Sequence, residues 1–147
     1  MQLSGKIAAA AGLRGNAVVC IEKIGPGEAI LRIQGPQLRV PGTYTVQRGD
    51  ADHISGDGAT WAFLNHACAP NSAIDFSTWE LTTRRTIRAG EEITYNYLTT
   101  EWDMASPFAC GCGAAHCPGT IRGFRHLDAA QRQAIGPLLS PFLRKIG

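Results

Sequence analysis

No apolar run in this sequence approaches the ~20 residues that a membrane-crossing helix needs, so no helical span is expected. Nor does Met1 to Lys6 hold a charged segment followed by a long apolar one. No secretory leader is therefore expected, and the chain reads as intracellular, in a reducing compartment. Charge is scarce: Asp, Glu, Lys and Arg make up 18% of the 147 residues, and the formal net charge is +2. That is too little to argue for direct contact with nucleic acid, and the run Arg84, Arg85, Arg88 reads as a solvated strand face. What is present suits an ordinary globular chain, with 44% hydrophobic residues and a length that supports one core.

Helical periodicity is missing over most of the chain. Asn16 to Ile24 is β-branched and apolar, stops at Gly25-Pro26-Gly27, and resumes at Ala29 to Ile33, which predicts a hairpin. Thr43 to Gln47 is a short strand by propensity. Arg48 to Thr60 is polar and rich in Gly and Asp, a loop with at most a brief strand at His53-Ile54. A second hairpin runs through Ile74-Asp75-Phe76, a turn at Ser77-Thr78, and Trp79 to Ile87. Ile93 to Tyr97 predicts a further strand with both tyrosines on one face. Helix is legible only at the end, where Asp128 can cap Ala129 onward with Gln131 in the capping-box position, and Gly136-Pro137 interrupts before Leu138 to Lys145. The fold class is thus mostly β (α+β), with a short C-terminal helical tail.

Five cysteines in a reducing compartment read as metal ligands or free thiols. Cys110, Cys112 and Cys117 form a C-x-C-x4-C cluster whose glycines at 111 and 113 let several sulfurs converge. A structural zinc wants four ligands in a tetrahedron. Cys68, in the dense run Asn65-His66-Ala67-Cys68-Ala69-Pro70-Asn71, can supply the fourth; His116 and His66 compete for the place. Four thiolates would leave no open position for catalysis by the ion itself. Cys20, inside an apolar strand, reads as core.

Three signatures occur in order: the run from Asn65 to Asn71, then Gly90-Glu91-Glu92-Ile93-Thr94-Tyr95-Asn96-Tyr97, then the cysteine cluster. Together they resemble SET-domain protein lysine methyltransferases with a post-SET zinc-binding loop. Gly12-Leu13-Arg14-Gly15-Asn16 resembles the family's N-terminal glycine motif, and Tyr44 falls where the family places an aromatic before its insert. The resemblance implies a SET-domain β-clip of small curved sheets with a pseudoknot. It divides the chain into a SET domain (1–104), a post-SET loop (105–127) and a helical extension (128–147). It implies S-adenosyl-L-methionine as methyl donor, held by Gly12, Arg14, Gly15, Asn65, His66 and Tyr97, and a lysine of a protein or peptide, histone-like or other, as acceptor. Tyr97 matches the catalytic tyrosine, with Tyr95 beside it toward the channel and Tyr44 counted in the catalytic set; Cys68, Cys110, Cys112 and Cys117 match the ligands of one structural Zn2+. Tyr95 stands at a tyrosine-or-phenylalanine switch, which implies monomethylation.

Methyl transfer to an amine is an in-line displacement, so alignment at near-attack distance is the main requirement. The acceptor, with an ordinary pKa near 10.4, must first lose its proton. Two residues depart from the family pattern: Ala62 replaces a common arginine, and Asn96 the usual aspartate between the tyrosines. They leave open a SET-fold binding module without catalysis. A small zinc-dependent nucleic-acid binder is a further alternative, but it gives the Asn65 and Tyr97 motifs no purpose.

Overall fold

The computed structural model describes residues 1–12 and 15–146. Among these described residues twelve short strands form five small sheets, followed by two short helices. Strand β1 (Ile7–Gly12) pairs antiparallel with β2 (Gly15–Cys20), from Ile7 opposite Cys20 to Gly12 opposite Gly15. The run Ile7-Ala8-Ala9-Ala10-Ala11 has a composition that favours helix over strand, so this partner of β2 is invisible to propensity. The expected hairpin between Asn16–Ile24 and Ala29–Ile33 does not form: β3 (Ala29–Arg32) instead pairs with β9 (Glu80–Thr83). Turn chemistry at Gly25-Pro26-Gly27 was correctly legible, but it turns the chain into another sheet. Ile24 and Ile87 exchange both backbone hydrogen bonds at 2.9 Å, so the two similar apolar–turn–Gly-Glu segments face each other.

The second hairpin is as expected, β8 (Ser72–Asp75) against β9, with the Asp75 carboxylate accepting from the Ser77 amide and hydroxyl to close the turn. The Arg48–Thr60 segment is more ordered than a loop. Strands β5 (Thr45–Gly49) and β6 (Asp52–Ser55) form a tight hairpin, with β4 (Gln37–Leu38) on the far side of β6 and a 3-10 turn at Thr60–Phe63. At the tail Asp128 and Gln131 make the reciprocal capping box of α1 (Ala129–Ile135), and α2 (Pro141–Ile146) follows.

Two apolar cores result. The larger gathers Val18, Ile24, Ile30, Leu31, Ile54, Leu81, Ile87 and Ile93 between the sheets. The smaller gathers Leu98, Ile121, Phe124, Leu127, Leu139 and Leu143 from the segments around the cysteines and the tail. Tyr97 packs against both.

Candidate active site and metal centre

Two strands of two residues each place the site. Strand β7 (Asn65–His66) runs parallel to β10 (Thr94–Tyr95), with Thr94 opposite Asn65 and Tyr95 opposite His66. Such a short parallel pair needs help from side chains. Asn71 gives it: its amide donates to the Glu92 carbonyl at 2.8 Å and accepts from the Thr94 amide at 3.0 Å. On the other side, Gly90 to Ile93 adds to the open edge of β2, through Cys20 N–H to Glu91 O and Ile93 N–H to Val18 O, both at 2.8 Å. The Asn65 amide then donates to the Glu92 carboxylate and, at 3.0 Å, to the Asn16 carbonyl. The 65–71 run, the 90–97 run and the glycine hairpin are thereby locked together.

The chain does not continue as a strand to Tyr97. Asn96 accepts the Leu98 amide at 3.0 Å and caps a 3-10 turn over Tyr97–Thr99. An aspartate could make the same cap, so the departure at Asn96 keeps the local geometry. Because of the turn, Tyr95 and Tyr97 meet with ring centroids 5.0 Å apart and planes tilted by 49°, rather than side by side on a strand face. The Tyr97 hydroxyl donates to the Leu64 carbonyl. Burial, with the charges of Glu92 and Glu101 adding to it, pushes that hydroxyl well above the ordinary phenol range; Tyr95 is pushed up likewise. Both therefore stay protonated and can donate.

His66 is neutral, its pKa lowered to about 4 by burial. Its Nδ1 accepts the Tyr97 amide at 3.1 Å, which leaves the proton on Nε2, 3.3 Å from Cys68 Sγ. The sulfur ligand atoms of Cys68, Cys110, Cys112 and Cys117 all lie within 4.8 Å of one another, and this group can hold a metal ion. His66 thus supports the cluster from outside as a donor to Cys68, and His116 is not part of the group. Burial pushes the thiols of Cys68 and Cys110 up, whereas a hydrogen bond from the backbone at Ala114 holds Cys112 down. A cation would draw all four toward thiolate.

A cleft of about 410 Å³ opens beside this cluster. All three tyrosines of the sequence line it: Tyr95 and Tyr97 inside, and Tyr44, 49% exposed, at its mouth. Asn65, His66 and Cys110 line it as well. The glycine hairpin reaches it through Asn16; Gly12 and Gly15 form the hairpin's closing pair, and Arg14 lies outside the described residues. Two lining residues escape a reading of the sequence. Phe108 stacks edge-on to His66 and Tyr97, with centroids 5.8 and 5.9 Å away. Glu101 lies in the polar run Thr99-Thr100-Glu101-Trp102-Asp103, which carries no pattern that would separate a buried acid from a surface one.

The SET-domain family model matches residues 15–98, more than half of the chain, and the protein belongs to the SET-domain family. Over 70 residues it is 40% identical to "Methyltransferase flvH" of Aspergillus flavus, covering 46% of this chain and 39% of the relative. An H3 lysine-36-specific histone-lysine N-methyltransferase of Yarrowia lipolytica is 30% identical over 95 residues, covering 59% of this chain and 12% of that protein. Histone-lysine N-methyltransferase ash1 of Drosophila melanogaster is 33% identical over 72 residues, 45% of this chain and 3% of that protein. The chain spans well under half the length of each of these relatives.

Proposed function

We propose that the protein transfers a methyl group from S-adenosyl-L-methionine to the side-chain amine of a lysine in a protein substrate. The observation that carries this is the convergence of Asn65, His66, Tyr95 and Tyr97 on one cleft in a SET-domain fold. The cleft suits a ligand of this size, with aromatic walls and a few placed polar groups. Asn65, His66 and the glycine motif would hold the donor, which supplies when bound a methyl group on a positively charged sulfur. The chain's own part is positional. The Tyr97 hydroxyl, fixed by the Leu64 carbonyl, keeps lone pairs free to orient the reacting groups. Tyr95, 6% exposed, narrows the acceptor channel and can hold an amine that still carries N–H groups. Its hydroxyl leaves room for one methyl, so the product we infer is monomethyl-lysine. Tyr44 would guide the acceptor in from the mouth. The relatives named for histone methylation make a histone, and with it a nuclear or chromatin setting, the first substrate to try.

The metal we infer is one structural zinc. Four Zn–S bonds of about 2.3 Å in a tetrahedron put the sulfurs about 3.8 Å apart. Cys68 and Cys110 already stand 4.0 Å apart, so the donor set fits. On this reading residues 1–104 are the SET domain, 105–127 the zinc loop that walls the cleft, and 128–147 a helical buttress. The deciding experiment is a methyl-transfer assay on core histones and a cell lysate, read by mass spectrometry, with wild type and Tyr97→Phe. Transfer by wild type, lost in a folded Tyr97→Phe, is expected; equal turnover would remove the tyrosine from the reaction, and no transfer with no cofactor binding would leave a binding module.

A further inference from the structure

We propose that Glu101 is the group that meets the acceptor amine in the cleft and takes its proton. The proposal rests on the methyl-transfer reading and adds a residue to it. Three observations carry it.

The first is position. Glu101 lines the same cleft as Tyr95 and Tyr97, and its charge acts on both phenols. The second is isolation. Glu101 is only 7% exposed, and no Lys, Arg or His forms an ion pair with it among the described residues. The groups that face it are the phenols of Tyr95 from β10 and Tyr97 from the 3-10 turn, the backbone N–H of Gln47 from β5, and the hydroxyl of Thr100. A carboxylate taken out of water without a cation is costly to a fold, and a cationic ligand is what removes the cost. The third is orientation. Oε2 accepts both the Gln47 backbone N–H at 2.9 Å and the Thr100 hydroxyl at 2.6 Å, whereas Oε1 takes no hydrogen bond from the described residues. One oxygen is thus anchored and the other is left for a ligand. Burial raises its pKa to about 7, in the range where a group can accept a proton and return it to water.

The step balances as follows. A lysine ammonium enters and its N–H bond breaks, the proton passing to Glu101 Oε1 and the electron pair staying on nitrogen. That pair forms the new N–C bond as the C–S bond of the sulfonium donor breaks, its electrons remaining on sulfur. The methylated product is again an ammonium, and Glu101 loses its proton to water before the next acceptor binds. Desolvation and the nearby sulfonium both favour the neutral amine once the proton has gone.

Two measurements test this, one of them without turnover. In carboxyl-carbon NMR of glutamate-labelled protein, the Glu101 signal is identified by its loss in Glu101→Gln and, independently, in Glu101→Asp. It should titrate near neutrality and shift on adding n-butylammonium, the head of a lysine side chain, but not n-butanol. A Glu101 signal indifferent to n-butylammonium overturns the proposal. In kinetics on a histone peptide, wild-type kcat/KM should rise to a plateau above pH about 7. Glu101→Gln should fall by about 100-fold at neutral pH and rise with hydroxide without that plateau. Glu101→Asp, which keeps a carboxylate, should keep the plateau at a lower rate. A purely structural role would scale the profile and leave its shape, which overturns the proposal. If Glu101→Gln does not fold, the wild-type titration and the Glu101→Asp profile decide. The methyl-transfer reading fails separately, when n-butylammonium shifts Glu101 but S-adenosylhomocysteine does not bind.

Discussion

At the scale of single residues, the buried acid makes a prediction that needs no substrate. Burial raises Glu101 from its ordinary 4.5 to about 7. Below pH about 4.5 the carboxyl is protonated in folded and unfolded chains alike and costs nothing. Between 4.5 and 7 the unfolded chain gives up its proton and the folded chain does not, so stability falls as pH rises, and the full cost is present above 7. Glu101→Gln keeps an acceptor for the Gln47 amide and cannot ionise. It should be more stable than wild type at pH 8 by on the order of 3 kcal/mol, and no more stable at pH 4. Urea melts at the two pH values check this; an equal difference at both would mean that the charge is not what the fold resists. Tyr95 makes the second prediction. Its phenol stays protonated and sits 5.0 Å, centroid to centroid, from Tyr97. Tyr95→Phe removes a hydroxyl from a tight channel, so the product should shift from monomethyl- toward dimethyl- and trimethyl-lysine with turnover retained. A wild-type product that is already mostly trimethylated counts directly against it.

At the scale of elements, the segment after the cysteines is held by backbone contact. Met104 N–H donates to the Arg122 carbonyl, Phe124 N–H to the Glu101 carbonyl, and Arg125 N–H to the Trp102 carbonyl, at 2.9, 2.7 and 3.1 Å. Gly123 lies at the middle of this contact with φ of 124°, and a Cβ there would collide with the Trp102 carbonyl oxygen. Gly123→Ala should therefore cost roughly 1–3 kcal/mol in backbone strain, and more through the collision. Its cleft should bind S-adenosylhomocysteine more weakly, because Glu101 and Phe108 are no longer fixed. Unchanged affinity would show that this strap is incidental. None of this was legible in the sequence, where Gly123 is one glycine among 17. The cysteine spacing was legible, since four thiols have few other uses together, and so were the turn at Ser77-Thr78 and the Asp128 capping box, which are decided within four residues. Outside the β8–β9 hairpin, strand partners were not. β2 takes Ile7–Gly12 on one edge and residues 91–93 on the other, and neither choice is written in its own alternation. Tyr95 and Tyr97 meet, but by a turn that Asn96 caps, a device that period-two counting cannot see.

At the scale of the whole molecule, the two cores touch at the site. Tyr97 packs against the large core and the small one, and Leu98, next in the chain, is buried in the small one at 2% exposure. Cys68 and Cys110 pack against that small core, and the Ser140 amide donates to the Thr99 carbonyl at 2.9 Å. Among the described residues the small core holds six buried hydrophobic side chains, drawn from loops, a two-residue strand and short helices, so its cohesion would lean on the zinc we infer. The large core is tied by paired strands that do not involve Cys68, Cys110, Cys112 or Cys117. Removing the metal should therefore loosen one part and spare the other. With a chelator, or in Cys112→Ser, amide exchange should speed up at Cys110, Met104, Phe124 and Ser140, while Ile74 and Leu81 in the β8–β9 hairpin keep their protection. Binding of S-adenosylhomocysteine should fall with the loosening, because Cys110 and Phe108 belong to the wall of the cleft. The purified protein should carry one zinc per chain, lost in step with these changes. Exchange that rises equally in both cores would show a single cooperative unit, and exchange that rises in neither would show that the small core stands without its metal.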